Sequence, residues 1–216
     1  MLNILKITKY SNSFIIESEK YVDLIDTTFE KKPKELIEKV KEIGKPLRYI
    51  FITHSHIDHI IGLYEIKKNF PEAKIVAHKN AKDYISGKVF RYPKGYKGFL
   101  LRFLTPFLGY KGLEVDIEVK EGKFNEYTII ETFGHTNDSI SILIDKNIFV
   151  GDLITNEKNK LSLSPKEFNE NEEEIKKSIE KILKYDFENI YFGHGNEILG
   201  NSKEKIKDFY QTLNNY

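Results

Sequence analysis

Three histidines and an aspartate fall within six residues, His54-Ser55-His56-Ile57-Asp58-His59, directly after a stretch, 47–53, that carries no acidic residue. The stretch Leu47-Arg-Tyr-Ile-Phe-Ile-Thr53 is β-branched and aromatic, and reads as a strand buried on both faces. The hexapeptide therefore begins where a strand leaves its sheet. Residues i and i+2 of an extended segment project to the same side, so His54 and His56 can grip one cation together. Asp58 and His59 follow where the chain turns into a helix, and can point to a neighbouring spot. Neutral imidazole is the commonest nitrogen donor, and a carboxylate supplies the negative charge that two close cations require. The whole chain has six histidines in 216 residues, so three of them beside an aspartate is not what chance spacing produces.

Three further donors lie at strand ends. Gly134-His135-Thr136, Gly151-Asp152 and Gly193-His194-Gly195 each close an apolar run. Glycine beside each donor lets the backbone turn sharply and bring a side chain close to a crowded centre. His78 has no neighbouring donor and ends a short apolar strand, so a structural role is expected for it.

The remaining pattern predicts short strands at 3–7, 13–18 and 21–26, then a helix over 31–43 with Pro33 in its first turn and Gly44 as its stop. A helix over 58–70 ends at Pro71. Strand 74–78 and a short helix at 81–85 follow. Strands return at 114–119, 127–132, 140–144 and 148–150. A helix over 172–185 presents Ile175, Ile179, Ile182 and Leu183 on one side, and strand 190–192 comes next. Asn201-Ser-Lys-Glu204 reads as a capping box opening a last helix. No linker rich in Pro, Gly or Ser divides the chain, which reads as a single domain over 1–216. Only 84–113 breaks the rhythm, with seven aromatic residues from Phe90 to Tyr110, six basic residues and no acidic one. A lid over the substrate, a homodimer interface and core packing are its three readings. Arg91, Lys94, Lys97 and Arg102 could attract an anionic group, and Tyr92, Tyr96 or Tyr110 could stabilise an oxyanion.

Composition removes several classes. Lys plus Arg number 34 against 33 Asp plus Glu, a net charge of +1, which argues against a polyanion binder. Nucleic acid is not the expected partner, and a small-molecule substrate is. The absence of cysteine excludes disulfides, Cys-ligated zinc, iron–sulfur clusters and thiol nucleophiles. No apolar run approaches the roughly 20 residues of a membrane-spanning helix. The N-terminus lacks the features of a signal peptide, so a cytoplasmic location is expected.

The donors, with Leu24-Ile25-Asp26-Thr27 as a first motif, resemble the five-motif pattern of the metallo-β-lactamase superfamily from Asn12 to Gly195. The resemblance implies an α/β fold, an αββα sandwich of the metallo-β-lactamase type, with a dinuclear metal centre at one edge. It implies that His54, His56 and His135 hold a first metal, that Asp58, His59 and His194 hold a second, and that Asp152 bridges them. Asp26 would support the ligand loops from behind, as would Thr136 through its hydroxyl. Two positions depart from the pattern: Thr28 stands where a glycine is usual, and Ile61 precedes Gly62 where two glycines are usual. Zinc suits a nitrogen-rich site, while the carboxylates also admit iron or manganese.

Two divalent cations sharing a water lower its pKa and polarise a carbonyl. The expected activity is therefore a metal-dependent hydrolase acting on an ester, thioester or lactone, with Asp58 doubling as a proton shuttle. The alternatives are a phosphodiesterase or nuclease using the same centre, or a mononuclear iron oxidoreductase resembling persulfide dioxygenases. Intact Asp58, His59 and His194 disfavour the last. Against the glyoxalase II pattern, with its helical C-terminal domain, only 22 residues follow His194, so a close match to it is not expected. The flavodiiron proteins have Glu where His56 stands.

Overall fold

The computed structural model of the chain describes residues 2–96, 98–100, 102, 103 and 109–214. Two compact units divide the chain, Met1–Glu118 and Val119–Tyr216, each with its own sheet and core.

The first unit holds a six-stranded sheet in the order β1-β2-β3-β4-β5-β6. β1 (Asn3–Lys9), β2 (Ser11–Glu17) and β3 (Val22–Ile25) form an antiparallel meander. β4 (Leu47–Ile52) and β5 (Lys74–His78) then add in parallel, and β6 (Ile117–Val119) completes the sheet. The switch to parallel pairing requires crossovers. α1 (Lys34–Ile43) makes the first, and α2 (Ile57–Ile60) with α3 (Leu63–Asn69) makes the second. Leu36, Ile37 and Val40 of α1 and Leu63 and Ile66 of α3 lie in one core with Val22, Leu24, Ile50, Ile52, Ile75 and Ala77 of the strands. Each of these valine, leucine and isoleucine side chains, fully buried, contributes about 1.5–3 kcal/mol. Arg48 clamps β4 to β3 through two hydrogen bonds to Asp23, at 3.2 and 2.5 Å, with its guanidinium over the rings of Tyr21 and Tyr49. After β5 come a 3-10 turn, Lys79–Ala81, and α4 (Lys82–Ile85).

The second unit holds a five-stranded sheet in the order β13-β10-β9-β8-β7. β7 (Gly122–Phe124), β8 (Tyr127–Glu131), β9 (Ile140–Ile144) and β10 (Asn147–Phe149) are antiparallel neighbours. β13 (Asn189–Tyr191) pairs parallel to β10 after a crossover through α5 (Glu172–Ile182). Ile175, Ile179 and Ile182 of α5 and Ile206 of α6 (Ser202–Asn214) are buried with Ile130, Ile148, Ile190 and Phe192. A separate hairpin, β11 (Thr155–Glu157) and β12 (Lys160–Ser162), sits between β10 and α5 in sequence.

Several expectations change in detail. The helix expected over 58–70 is two helices, because the chain breaks at Ile61-Gly62. A Cβ on Gly62 would meet Glu30 O, Pro33 Cγ and Thr27 Cβ, each at 3.1 Å, a tight fit, whereas Ile61 is accommodated with its side chain buried. The capping box at Asn201 is not formed in its usual way, since Asn201 has φ 54 rather than the extended backbone of a capping residue. Parts of 84–113, namely Lys97, Leu101 and 104–108, lie outside the described residues. Tyr96, Phe99, Leu100 and Phe103 of that segment are exposed, so core packing is not the role of these four. No helix among the described residues is long and apolar enough to cross a membrane.

Candidate metal centre

In the first unit the donors are organised by Asp26. β3 and β4 are parallel neighbours with Ile25 opposite Phe51, which brings the residue after β3 alongside the end of β4. There Asp26 Oδ1 accepts the Thr53 N–H at 2.8 Å, and Oδ2 accepts the Thr53 hydroxyl at 2.7 Å and His59 Nδ1 at 2.8 Å. A carboxylate only accepts, so His59 Nδ1 carries a proton, and in the neutral ring Nε2 is the nitrogen left with the electron pair. The single hydroxyl hydrogen of Thr53 goes to the carboxylate, so His54 Nδ1, 3.1 Å from the Thr53 oxygen, donates to it. In the neutral ring His54 Nε2 is therefore also the nitrogen with the electron pair. It faces His56 Nδ1 at 3.1 Å.

The loop itself is pinned from below. Thr27 binds the His59 carbonyl oxygen through its N–H at 3.1 Å and its hydroxyl at 2.9 Å, and the Ser11 hydroxyl donates to the Asp58 carbonyl oxygen at 2.6 Å. The Asp58 carboxylate lies 3.5 Å from His59 Nε2. Arg91 lies over the Tyr84 ring at 3.9 Å and donates through Nε to Ser55 Oγ at 2.8 Å. Tyr110 is occupied otherwise than as an oxyanion donor: its hydroxyl donates to the Ile85 carbonyl at 2.7 Å, and burial pushes its pKa upward. His78 behaves as a structural residue, accepting the Asn80 N–H on Nδ1 at 3.2 Å. Its tautomer is thus the reverse of that of His59.

In the second unit β10 and β13 run in parallel, which sets Gly151-Asp152 beside Gly193-His194, and the Gly193 N–H donates to the Gly151 carbonyl at 2.7 Å. His194 Nε2 lies 3.3 Å and His135 Nε2 3.6 Å from Asp152 Oδ2. Two glycines make this approach possible. A Cβ on Gly134 (φ 127) would lie 2.4 Å from Ile175 N, and one on Gly195 (φ 92) would lie 2.1 Å from Asn156 O. The Thr136 hydroxyl serves its own turn, donating to Asp138 with Ser139 Oγ at 2.7 Å.

The sequence reading passed over Thr53, Asn169 and Ser164. Thr53 precedes a motif residue but has no motif of its own, and Asn169 stands 34 positions from His135, to which it is hydrogen-bonded. No spacing rule reaches that far.

Groups of histidine and aspartate able to hold a metal ion are present among the described residues. A sequence model of the metallo-beta-lactamase superfamily matches residues 8–194, a span that contains every one of these donors. The chain belongs to the metallo-β-lactamase superfamily. Curated relatives include the uncharacterized protein YobT of Bacillus subtilis, 38% identical over 65 residues, or 30% of this chain and 28% of YobT. A probable metallo-hydrolase of Methanocaldococcus jannaschii is 28% identical over 79% of this chain and 70% of its own length. Hydroxyacylglutathione hydrolase 1 of Vibrio vulnificus is 25% identical over 82% of this chain, which spans only 54% of that enzyme.

Solved structures of the superfamily share the fold. An archaeal member from Sulfolobus tokodaii superposes with a TM-score of 0.67 at 20% identity, over 98% of this chain and 86% of its own. ETHE1 from Myxococcus xanthus gives 0.63 at 18% identity, over 98% and 91%. The fold class expected from the sequence, α/β of the metallo-β-lactamase type, is therefore the one observed. The superfamily is metal-dependent, and the donor set fits a metal. His59 Nε2, the ring nitrogen that Asp26 does not engage, faces the Asp58 carboxylate at 3.5 Å, and in the neutral ring the two are electron-pair donors that a cation between them satisfies.

Proposed function

We propose that this superfamily member is a hydrolase of esters, thioesters or lactones with a dinuclear centre, and that 1–216 functions as one domain. In this reading His54, His56 and His135 hold one divalent cation, Asp58, His59 and His194 hold the other, and Asp152 is shared. The observation that carries it is the Asp26 hub, which holds His59 directly, and His54 through Thr53, with Nδ1 protonated and Nε2 available. Imidazoles held that way are prepared for a cation rather than for a proton. Zinc is the proposed metal, on the strength of the nitrogen-rich donor set.

When bound, two such cations lower the pKa of a shared water and polarise the carbonyl under attack. The chain's own groups do the rest. Asp26 keeps the His54 and His59 rings from turning. Asp58, whose side chain is 17% exposed against 8% for Asp152, is the carboxylate better able to exchange a proton with solvent, and is assigned to carry one to the leaving group. Arg91, beside Ser55, is set to attract an acidic part of a substrate.

Metal content per chain, measured by mass spectrometry on protein grown with zinc, iron and manganese, tests the reading. Two metals are expected, with loss in Asp152→Ala and loss of aryl-ester hydrolysis in His56→Ala. A single iron with oxygen uptake on a persulfide would replace the hydrolase reading. Turnover of an aryl phosphodiester in preference to every ester would move the substrate class to phosphodiesters.

A further inference from the structure

A second brace, unrelated to Asp26, governs His135. The Asn169 side chain lies with Nδ2 2.8 Å from the Ser164 carbonyl oxygen and Oδ1 2.8 Å from His135 Nδ1. A carbonyl oxygen can only accept a hydrogen bond, so the amide NH2 faces Ser164 and the amide oxygen faces His135. The ring nitrogen opposite that oxygen has to donate. We infer that Asn169 is a positioning residue that locks His135 as its Nδ1–H tautomer and so reserves Nε2 as an electron-pair donor. The purpose of the lock rests on the metal-centre reading above, while its geometry does not.

The surroundings leave the ring little freedom. His135 and Asn169 are each 1% exposed, so water does not compete for either group. The Glu170 N–H donates to the His135 carbonyl at 3.1 Å, and the Asn171 N–H to the Gly134 carbonyl at 2.8 Å. Three successive residues thus hold Gly134 and His135 through one side-chain and two backbone bonds. The Ser164 hydroxyl donates to the Asp152 carbonyl at 3.3 Å, so the same short segment also reaches the backbone of a second proposed ligand. The opposite tautomer would turn an N–H toward the Asp152 carboxylate, 3.6 Å from Nε2, and the two would pair with each other instead of with a cation. Neutral imidazole populates both tautomers in water, and the ring must be held to present only one.

The test reads the tautomer directly. Two-bond proton–nitrogen correlation spectra of the 15N-labelled full chain, stripped of metal by chelation and at a pH where the ring is neutral, distinguish Nδ1–H from Nε2–H. The His135 signal is the one lost in His135→Gln. Wild type is expected as Nδ1–H. Asn169→Leu, which removes the acceptor at similar size, is expected to populate Nε2–H and to weaken cobalt(II) binding, measured by chelator competition, roughly 10–100-fold. Asn169→Asp keeps an acceptor oxygen and is expected to retain Nδ1–H, which keeps the inference testable should the leucine variant not fold. Nε2–H in wild type or in Asn169→Asp, or persistent Nδ1–H in folded Asn169→Leu, overturns the inference. A shifted tautomer with unchanged cobalt affinity overturns the positioning role. Cobalt binding that survives His135→Gln would instead sink the ligand assignment, leaving the tautomer spectra to judge Asn169 alone.

Discussion

Thr28 carries a β-branched side chain at φ 63, in the left-handed region where Cβ crowds the following carbonyl at a cost of about 1–2 kcal/mol. It is fully buried, and its hydroxyl has no hydrogen-bond partner among the described residues, a further cost of about 1–3 kcal/mol. Glycine is the residue that geometry asks for. Thr28→Gly is expected to raise the urea midpoint of unfolding, because these gains exceed the roughly 0.4–1 kcal/mol of unfolded-chain freedom that glycine adds. A lower midpoint would show that the methyl group's packing outweighs the backbone strain. At this scale the candidate donors were legible because His54, His56, Asp58 and His59 are crowded into one loop, and His135, Asp152 and His194 each adjoin a glycine at a strand end. The proton on each ring was not legible. His78 accepts on Nδ1 from Asn80, two residues on, whereas His59 donates from Nδ1 to Asp26, 33 positions away, and the second of these is out of reach of any local pattern.

Among the elements, the break between α2 and α3 is instructive. Ile60, Leu63 and Ile66 continue a helical period across it, so the pattern reads as one helix. At the break the Gly62 N–H donates to the Thr27 hydroxyl at 3.2 Å and the Asp58 carbonyl accepts from Ser11 at 2.6 Å, so both ends of the helical bond that would join the two pieces are engaged by distant residues, which no periodicity encodes. α5 is the opposite case. Asn171 accepts the Glu173 and Glu174 N–H groups at 3.1 and 3.3 Å, and three glutamates sit in the first turn, where the helix dipole favours them. The link between α4 and the segment after it depends on Tyr110, whose hydroxyl is bound to Ile85. Burial raises the folded-state pKa of this phenol above the ordinary 10, so its contribution to stability is complete below pH 10 and falls as pH rises beyond it. Tyr110→Phe is expected to cost about 0.5–1.5 kcal/mol at neutral pH and to flatten the loss of stability above pH 10. Chemical denaturation at pH 7 and pH 11 measures both, and an unchanged alkaline slope would count against the buried phenol as its source.

For the whole molecule, a metal that binds only the folded chain stabilises it, by about 2.7 kcal/mol at a free concentration 100 times the Kd. Chelation is therefore expected to lower Tm by several degrees, with recovery on adding zinc. A Tm indifferent to chelator and to zinc would argue against a bound metal in the native chain. The alternation of apolar residues and the placement of Pro33 and Gly44 were enough to determine most of the strands and helices, because those are local properties of backbone and side chain. The short polar hairpin β11–β12 escaped, since a three-residue strand offers too little pattern. The donor types were likewise legible in sequence, since a chain without cysteine offers no thiolate and the crowded motif residues are histidine and aspartate. What the tertiary structure alone decided is the state in which those donors are held. Asp26 reaches His59 across 33 positions, and Asn169 reaches His135 across 34. Hydrogen bonds between residues so far apart exist only after sheets and crossovers have brought them together, and it is those bonds that determine which ring nitrogen carries the proton.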